Sequence, residues 1–442
     1  MSHHYTGDIT SASFEAPRDD RITLCLPFAS ESIQALLAIY ILVVFFVSAT
    51  VLDFIGIDYS AIDGSQLAKI HPSTYLIVVI FAVFIASYPR KLDLIRYYLA
   101  TKLGTIYFFC ATTFAVINIV VGGRNGFGMY FDTDLHLFLC CMLLPFIPPD
   151  GMTRLERFIH WFFAINAILA VFELGSGINV FPLTTFSPDG TTTIEPRAVA
   201  FLSHPLHAAT VTCIYIVSLL IGGGKLLQLR WRLPMIGLQT AAMIAFGGRT
   251  ALLVTLIALF LALLWQAIRF AGGQRLSRGA AIAAVAVVPV TIAVISTLAF
   301  AGFFNDLLDR FADDGGSARS RLVMMPLWWS FDWGDFLWGA DPDYIRSQMY
   351  SFGMEWGIEN PFVHTSIYQG VVIASLIMVG VLLVFRDAYK RLEPRVIIPM
   401  IVYLLLVNSF GSLAGRFINV TIFMIVISTL FRRQSVPPQH VV

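Results

Sequence analysis

Few residues of this chain could do chemistry, because most of it is apolar. Four arginines stand out by position: Arg197 in IEPRAVAFLSHPLHAAT, Arg249 in AFGGRTALLVTL, and Arg319 and Arg321 in GGSARSRLVMMPLWW. Each lies in or beside a polar break between long hydrophobic runs. A guanidinium is a planar fork of donors that matches two phosphate or carboxylate oxygens at once. Anion binding is therefore one reading of all four. The bland reading differs from case to case. Arg249 sits in a turn so tight that an apolar run begins at once, and it could snorkel or cap a helix. A charge there costs about 2.5–3.5 kcal/mol at the centre of a span and less near its edge. Arg319 and Arg321 have Asp313 and Asp314 close by as ion-pair partners, and Glu195 could neutralise Arg197.

His364, in ENPFVHTSIYQGVV, is the candidate general base, since imidazole has an ordinary pKa of about 6.5. A lone histidine at a helix mouth serves equally well as a satisfied polar residue. Glu359, five residues earlier, is the carboxylate that proximity suggests as its helper. His204 and His207 are lesser candidates. HPLH is not a zinc spacing without further ligands, so neither a metal site nor a cofactor is expected. Of five cysteines, Cys110, Cys140, Cys141 and Cys213 lie in apolar segments and Cys25 in the N-terminal arm, which gives no disulfide framework.

The elements that must position these groups are membrane helices. The chain has 442 residues, 57% of them hydrophobic and 13% charged, and a mean hydropathy of +0.77. That is too apolar for an ordinary soluble protein. Segments near the roughly 20 residues that a helical span requires recur near 33–55, 73–89, 99–121, 132–149, 156–175, 204–223, 232–247, 249–270, 279–302, 362–385, 395–412 and 414–431. The seventh is short and bounded by glycine, so a break or tilt is expected there. Outside a closed barrel, lipid leaves backbone groups no partner but a helix, and no strand-like alternation is long enough for a barrel. The expected fold class is an all-α polytopic membrane protein with about 12 transmembrane helices and one large extracytoplasmic loop between helices 9 and 10. The layout is a cytoplasmic arm (1–32), spans 1–9 (33–302), the loop (303–361), spans 10–12 (362–431) and a cytoplasmic tail (432–442). The arm lacks an apolar h-region, so the first span is expected to act as an uncleaved signal.

Orientation follows from the cations. With both termini inside, twenty of the 29 Lys and Arg fall on cytoplasmic segments, and no outer loop but 303–361 holds more than one. This is the positive-inside pattern. The loop therefore faces away from the cytoplasm. It holds ten of the 28 carboxylates and five of the eight tryptophans: Trp328, Trp329, Trp333, Trp338 and Trp356. A net charge of +1 with no basic stripe argues against a nucleic-acid partner.

Three of these pieces occur in order in a known family. GGRTALL resembles the Ser-Arg-Thr-Ala-like motif of the O-antigen ligase and O-antigen (exopolysaccharide) polymerase superfamily of bacterial membrane glycosyltransferases. SRLVMMPLWWSFDWGDFLWGADP resembles its loop signature, an Arg, a Trp-containing helix and a Gly-rich turn, here Gly339-Ala340-Asp341. VHTSIYQGVVIASLIMVGVLL resembles the start of the span after the large loop, and EPRAVAFLSHPLHAA a weaker upstream motif. The patches cover about residues 195–385. Thr365 stands where the family has Asn, and the turn lacks its second Gly.

The resemblance implies a GT-C-like architecture in the bacterial inner membrane. It implies metal-independent, inverting glycosyl transfer at the outer face. The donor would be an undecaprenyl-diphosphate-linked glycan, with Arg249, Arg321, Arg197 and Arg319 as diphosphate ligands and His364 with Glu359 as the catalytic pair. A polymerase would add repeat units to a growing glycan, and a ligase would use lipid A-core as acceptor. A chain-length regulator and a flippase are the implied protein partners. Two other classes fit less well. A twelve-span secondary transporter would betray similar halves and use intramembrane charges, of which Glu173 is the main one. A glycosyltransferase with acidic chemistry in its first outer loop would need a carboxylate pair there, whereas Asp53, Asp58 and Asp63 are not adjacent.

Overall fold

The computed structural model describes residues 28–57, 59, 69–122, 128–186, 192–273, 317–354, 357–408 and 417–433. The expected ninth span, the loop's first part (303–316), Cys25, Asp58, Asp63, Glu355 and Trp356 lie outside the described residues. What is described is a helical membrane protein. Four helices are long and apolar enough to cross a membrane: α5 (Leu103–Val121), α8 (Pro149–Ser176), α11 (Arg249–Ala271) and α16 (Val371–Tyr389). Shorter apolar helices pack among them: α1 (Glu31–Phe46), α3 (Pro72–Ser87), α9 (Pro205–Leu220), α17 (Ile397–Val407) and α18 (Asn419–Leu430). A small antiparallel hairpin, β1 (Thr184–Phe186) with β2 (Thr192–Ile194), closes the loop after α8.

Three expected spans are broken, each where backbone groups find other partners. The first stops at Phe46 and resumes as α2 (Ala49–Phe54), with Ser48 extended between them. His71 makes good the break by donating Nε2–H to the Val47 carbonyl at 2.6 Å. The third is split at Lys102 into α4 (Lys91–Thr101) and α5. The tenth is split at Gly370 into α15 (Pro361–Gln369) and α16. The fourth begins with a short turn, α6 (Gly128–Tyr130), and a π-helical turn over Phe131–Leu135, and continues as α7 (His136–Leu143). By contrast the seventh, α10 (Leu229–Phe246), is one helix despite Pro234 near its start.

The residues after Ser317 form α12 (Ser317–Trp329), α13 (Trp333–Trp338) and α14 (Pro342–Ser351). They have an apolar core of their own, with Leu327, Phe331, Ile345, Met354, Val363 and Ile367 all buried together. α15 supplies the last two, so these three helices dock on the stub of the broken tenth segment. Most of the other described helices share one large core.

The two ends of the bundle differ in charge. At one end Arg391 bonds Tyr97 and Thr101, Lys225 pairs with Glu393, and Arg432 reaches the Pro149 carbonyl and Glu156. The other end holds the Val47–Ser48 break, the π turn, and the N-termini of α9, α11 and α15.

Candidate functional site

The site is built at that second end. Asn360 caps α15, its Oδ1 accepting from Phe362 N and Val363 N at 3.0 Å each, and Pro361 opens the helix. An Asn cap followed by Pro at the first helical position is a strong start signal. It fixes His364 in the first turn. The half-buried imidazole stacks on Tyr368 one turn later, with centroids 4.6 Å apart. Its Nδ1 is buried and has no hydrogen-bond partner among the described residues. A ring held in place with a nitrogen to spare is arranged as a base is. Glu359 is half-buried on the strand of chain leading into the cap.

The turn Gly339-Ala340-Asp341 is the weld between the loop helices and α15. Ala340 N donates to Ile367 O at 3.1 Å, and Asp341 caps α14 through Asp343 N and Tyr344 N. Two glycines make this approach feasible. A Cβ on Gly370 would lie 2.0 Å from the Leu337 carbonyl oxygen, and one on Gly339 2.5 Å from that of Tyr368. On α12, Trp328 reaches Phe362 of α15, while Trp329 stacks on Phe336. Trp329, Trp333 and Trp338 stay at least half exposed. Arg319 and Arg321 fall in the first two turns of α12. The loop helices thus present indole faces beside the His364 helix.

Arg249 is the first residue of α11. Gly248 before it lies so close to α9 that a Cβ would meet Ala209 at 2.5 Å. The helix start is thereby pinned beside His204 and His207. Backbone N–H groups at a helix N-terminus attract anions, and Arg249 adds a cation at the same point. Arg197 is committed differently: it forks onto Glu195 at 2.7 and 2.9 Å, the ion pair that the sequence allowed. Burial alone would raise the Glu195 carboxyl, but the hydrogen bonds and charge of Arg197 outweigh it and hold it below its usual range. Asn179 ties both backbone carbonyls of this pair, and Ala198 N bonds Ala245 O near the start of α11. Glu173, the candidate relay group of a transporter, instead accepts three backbone N–H bonds, from Val180, Val199 and Ala200 at 2.9–3.0 Å.

Sequence reasoning missed a buried polar cluster on the π turn. Asp132 is fully buried and accepts from Tyr59 Oη (2.6 Å), His71 N (2.9 Å) and Thr74 Oγ1 (2.7 Å). Asp134 accepts from Thr112 at 3.2 Å, and His136 bonds Tyr40 at 2.8 Å. A small cavity lined by Asp134, Pro361, Phe362 and Thr365 joins this cluster to the His364 helix. Thr133 bonds the backbone of Phe417, whose ring meets His207 at 4.1 Å. The π turn thus ties the starts of α9 and α15 together, and Gly248 ties α11 to α9. π turns inside helices are frequent at functional sites. The signal was FDTDLH, two carboxylates and a histidine in six residues at the edge of an apolar segment, where such groups are costly.

Among the described residues no cluster of His, Cys, Asp and Glu could hold a metal ion. No family model, curated protein or solved structure matches the chain.

Proposed function

We propose that the chain is a twelve-span glycosyltransferase of the bacterial inner membrane, with both termini in the cytoplasm and residues 303–361 on the far side. As a polysaccharide polymerase it transfers undecaprenyl-diphosphate-linked repeat units to a sugar hydroxyl of an acceptor glycan. The observation that carries the reading is the arrangement of α12–α15. A half-buried histidine stacks on Tyr368 beside helices that bear exposed indoles, on a helix that belongs to the same bundle end as the Arg249-led start of α11.

In this reading the acceptor oxygen attacks the anomeric carbon from the face opposite the diphosphate. The sugar–diphosphate bond breaks as the new glycosidic bond forms, inverting that centre. The His364 imidazole takes the hydroxyl proton, with Glu359 as its helper. Undecaprenyl diphosphate leaves with the electron pair, and Arg249, Arg321 and Arg319 supply the positive charge that its growing negative charge requires. Arg197 holds the adjoining loop through Glu195. Indole faces suit the apolar sides of pyranose rings.

The test compares the size of surface and lipid-linked glycans in cells carrying wild type, Arg249→Ala, Arg321→Ala or His364→Ala at matched membrane levels. Loss of long chains while single repeat units persist supports the polymerase. Long chains stranded on the lipid carrier would mean a ligase that uses lipid A-core. An unchanged profile in all three variants would refute transfer altogether.

A further inference from the structure

The opposite, basic end of the bundle contains a cavity that the proposed transfer chemistry does not use. Its volume is about 500 Å³, and it opens between α4, α7, the start of α8 and the loop before α17. Lys102, Arg391, Arg432 and Arg433 line it together with Tyr97 and Thr101, and among the described residues no carboxylate does.

The cations are poorly neutralised by the protein itself. Lys102 is 5% exposed and forms no ion pair among the described residues. The neighbouring carboxylate of Asp387 is engaged by Thr105 N at 2.9 Å and faces Arg386 at 3.6 Å. Arg391 gives its donors to the Tyr97 and Thr101 hydroxyls and lies over the Tyr97 ring at 5.0 Å. Arg433 donates Nε–H to the Leu392 carbonyl at 2.8 Å. Arg432 alone reaches a carboxylate, Glu156 at 3.6 Å. The positive-inside pattern explains cations in water, but not a buried ammonium that shares one cavity with three guanidiniums. Removing such a charge from water is unfavourable unless a counter-charge comes with it.

The geometry points to a phosphate-binding site in this cavity, formed by Lys102, Arg391, Arg432 and Arg433. Arginine forks match phosphate oxygens bidentately and the lysine adds a point charge. The apolar wall of Leu144, Met152 and Met424 accommodates a chain attached to the phosphate. The phosphate belongs either to a membrane lipid or to a soluble compound.

The full chain is placed in maltoside micelles, which carry no phosphate, and its melting temperature is followed with three additions. These are phosphatidylglycerol in the micelle, inorganic phosphate or pyrophosphate in solution, and chloride at matched ionic strength. Wild type is expected to be stabilised by the lipid or by the soluble phosphate, and chloride is expected to do nothing. The responding arm names the source of the phosphate. Lys102→Met and Arg433→Gln should each weaken that binding at least tenfold. Arg433 is exposed, so its variant folds even if the buried one does not. Equal effects of chloride and phosphate, no response in any arm, or wild-type binding by Arg433→Gln would overturn the assignment. The measurement does not depend on glycosyl transfer.

Discussion

Gly370→Ala should detach the loop helices from the bundle. The new Cβ would lie 2.0 Å from Leu337 O, 2.4 Å from Leu337 C and 2.5 Å from Trp338 Cα. All three are backbone atoms, so no rotamer change can make room. Gly370 also has φ 87° and ψ 154°, a region open almost only to glycine. The strain is worth about 1–3 kcal/mol, and overpacking adds about 1–3 kcal/mol. Together they amount to roughly 2–6 kcal/mol, comparable to burying two apolar side chains at about 1.5–3 kcal/mol each. The core shared by α12–α15 is only eight buried residues, so relief comes by parting residues 337–340 from 367–371. Hydrogen exchange of residues 317–351 should accelerate by at least tenfold, while α8 and α18 keep their protection. On the proposed function, transfer activity should fall with it. Gly334→Ala is the control. It lies in α13 with nothing within 4 Å of its Cβ, and alanine there is neutral or stabilising by up to about 1 kcal/mol. Wild-type exchange in Gly370→Ala, or equal effects of the two substitutions, would refute the account of the docking.

Three further outcomes follow from the polar clusters. Glu173→Gln replaces a carboxylate that accepts three backbone bonds. It should lower stability by about 2–3 kcal/mol and expose residues 178–201 to protease before the rest of the chain melts. Asp132→Asn removes the charge that Tyr59, His71 and Thr74 all address. A loss of about 3 kcal/mol is expected, read as a lower melting temperature in detergent, and an unchanged value would mean the cluster contributes no stability. The Glu195–Arg197 clip should be acid-labile. Because the folded carboxyl is depressed, its contribution is complete above the unfolded value of about 4.3. It is lost as pH falls through the folded one. Proteolysis of the 178–203 loop should therefore rise below that pH in wild type, and should be pH-independent in Glu195→Gln beyond the background of other carboxylates.

What could be read from the residues was the pattern that averages well. The segments near 73–89, 204–223 and 249–270 match Pro72–Ser87, Pro205–Leu220 and Arg249–Ala271 closely, because proline or glycine marks each start. The Glu195–Arg197 pair was legible because the partners are two residues apart. The breaks were not, since hydropathy runs unchanged through Val47 and Gly370 while their causes lie elsewhere in the chain. His71 satisfies the first from 24 residues away. The second exists because the backbone at Leu337 needs the space that a side chain would fill. Asp132 and Asp134 were hidden for a related reason, as their cost is offset by Tyr59, Thr74 and Thr112, which no local window includes.

The breaks nonetheless single out two places in the bundle independently of any motif. Irregular backbone within an apolar bundle persists only where it is buried in protein or borders a cavity. Three such irregularities, at Val47–Ser48, Phe131–Leu135 and Gly370, gather at the end that carries His364 and Arg249. The fourth, at Lys102, sits on the cavity at the basic end. Each is supported by contacts that a purely structural bundle of continuous helices would not require. The two ends can therefore be separated by experiment. Substitutions around Gly370 should change glycan length and leave phosphate-dependent melting intact. Arg433→Gln should do the reverse, and a variant that moved both readouts together would show that the ends are coupled through α5 and α16, whose helices run between them.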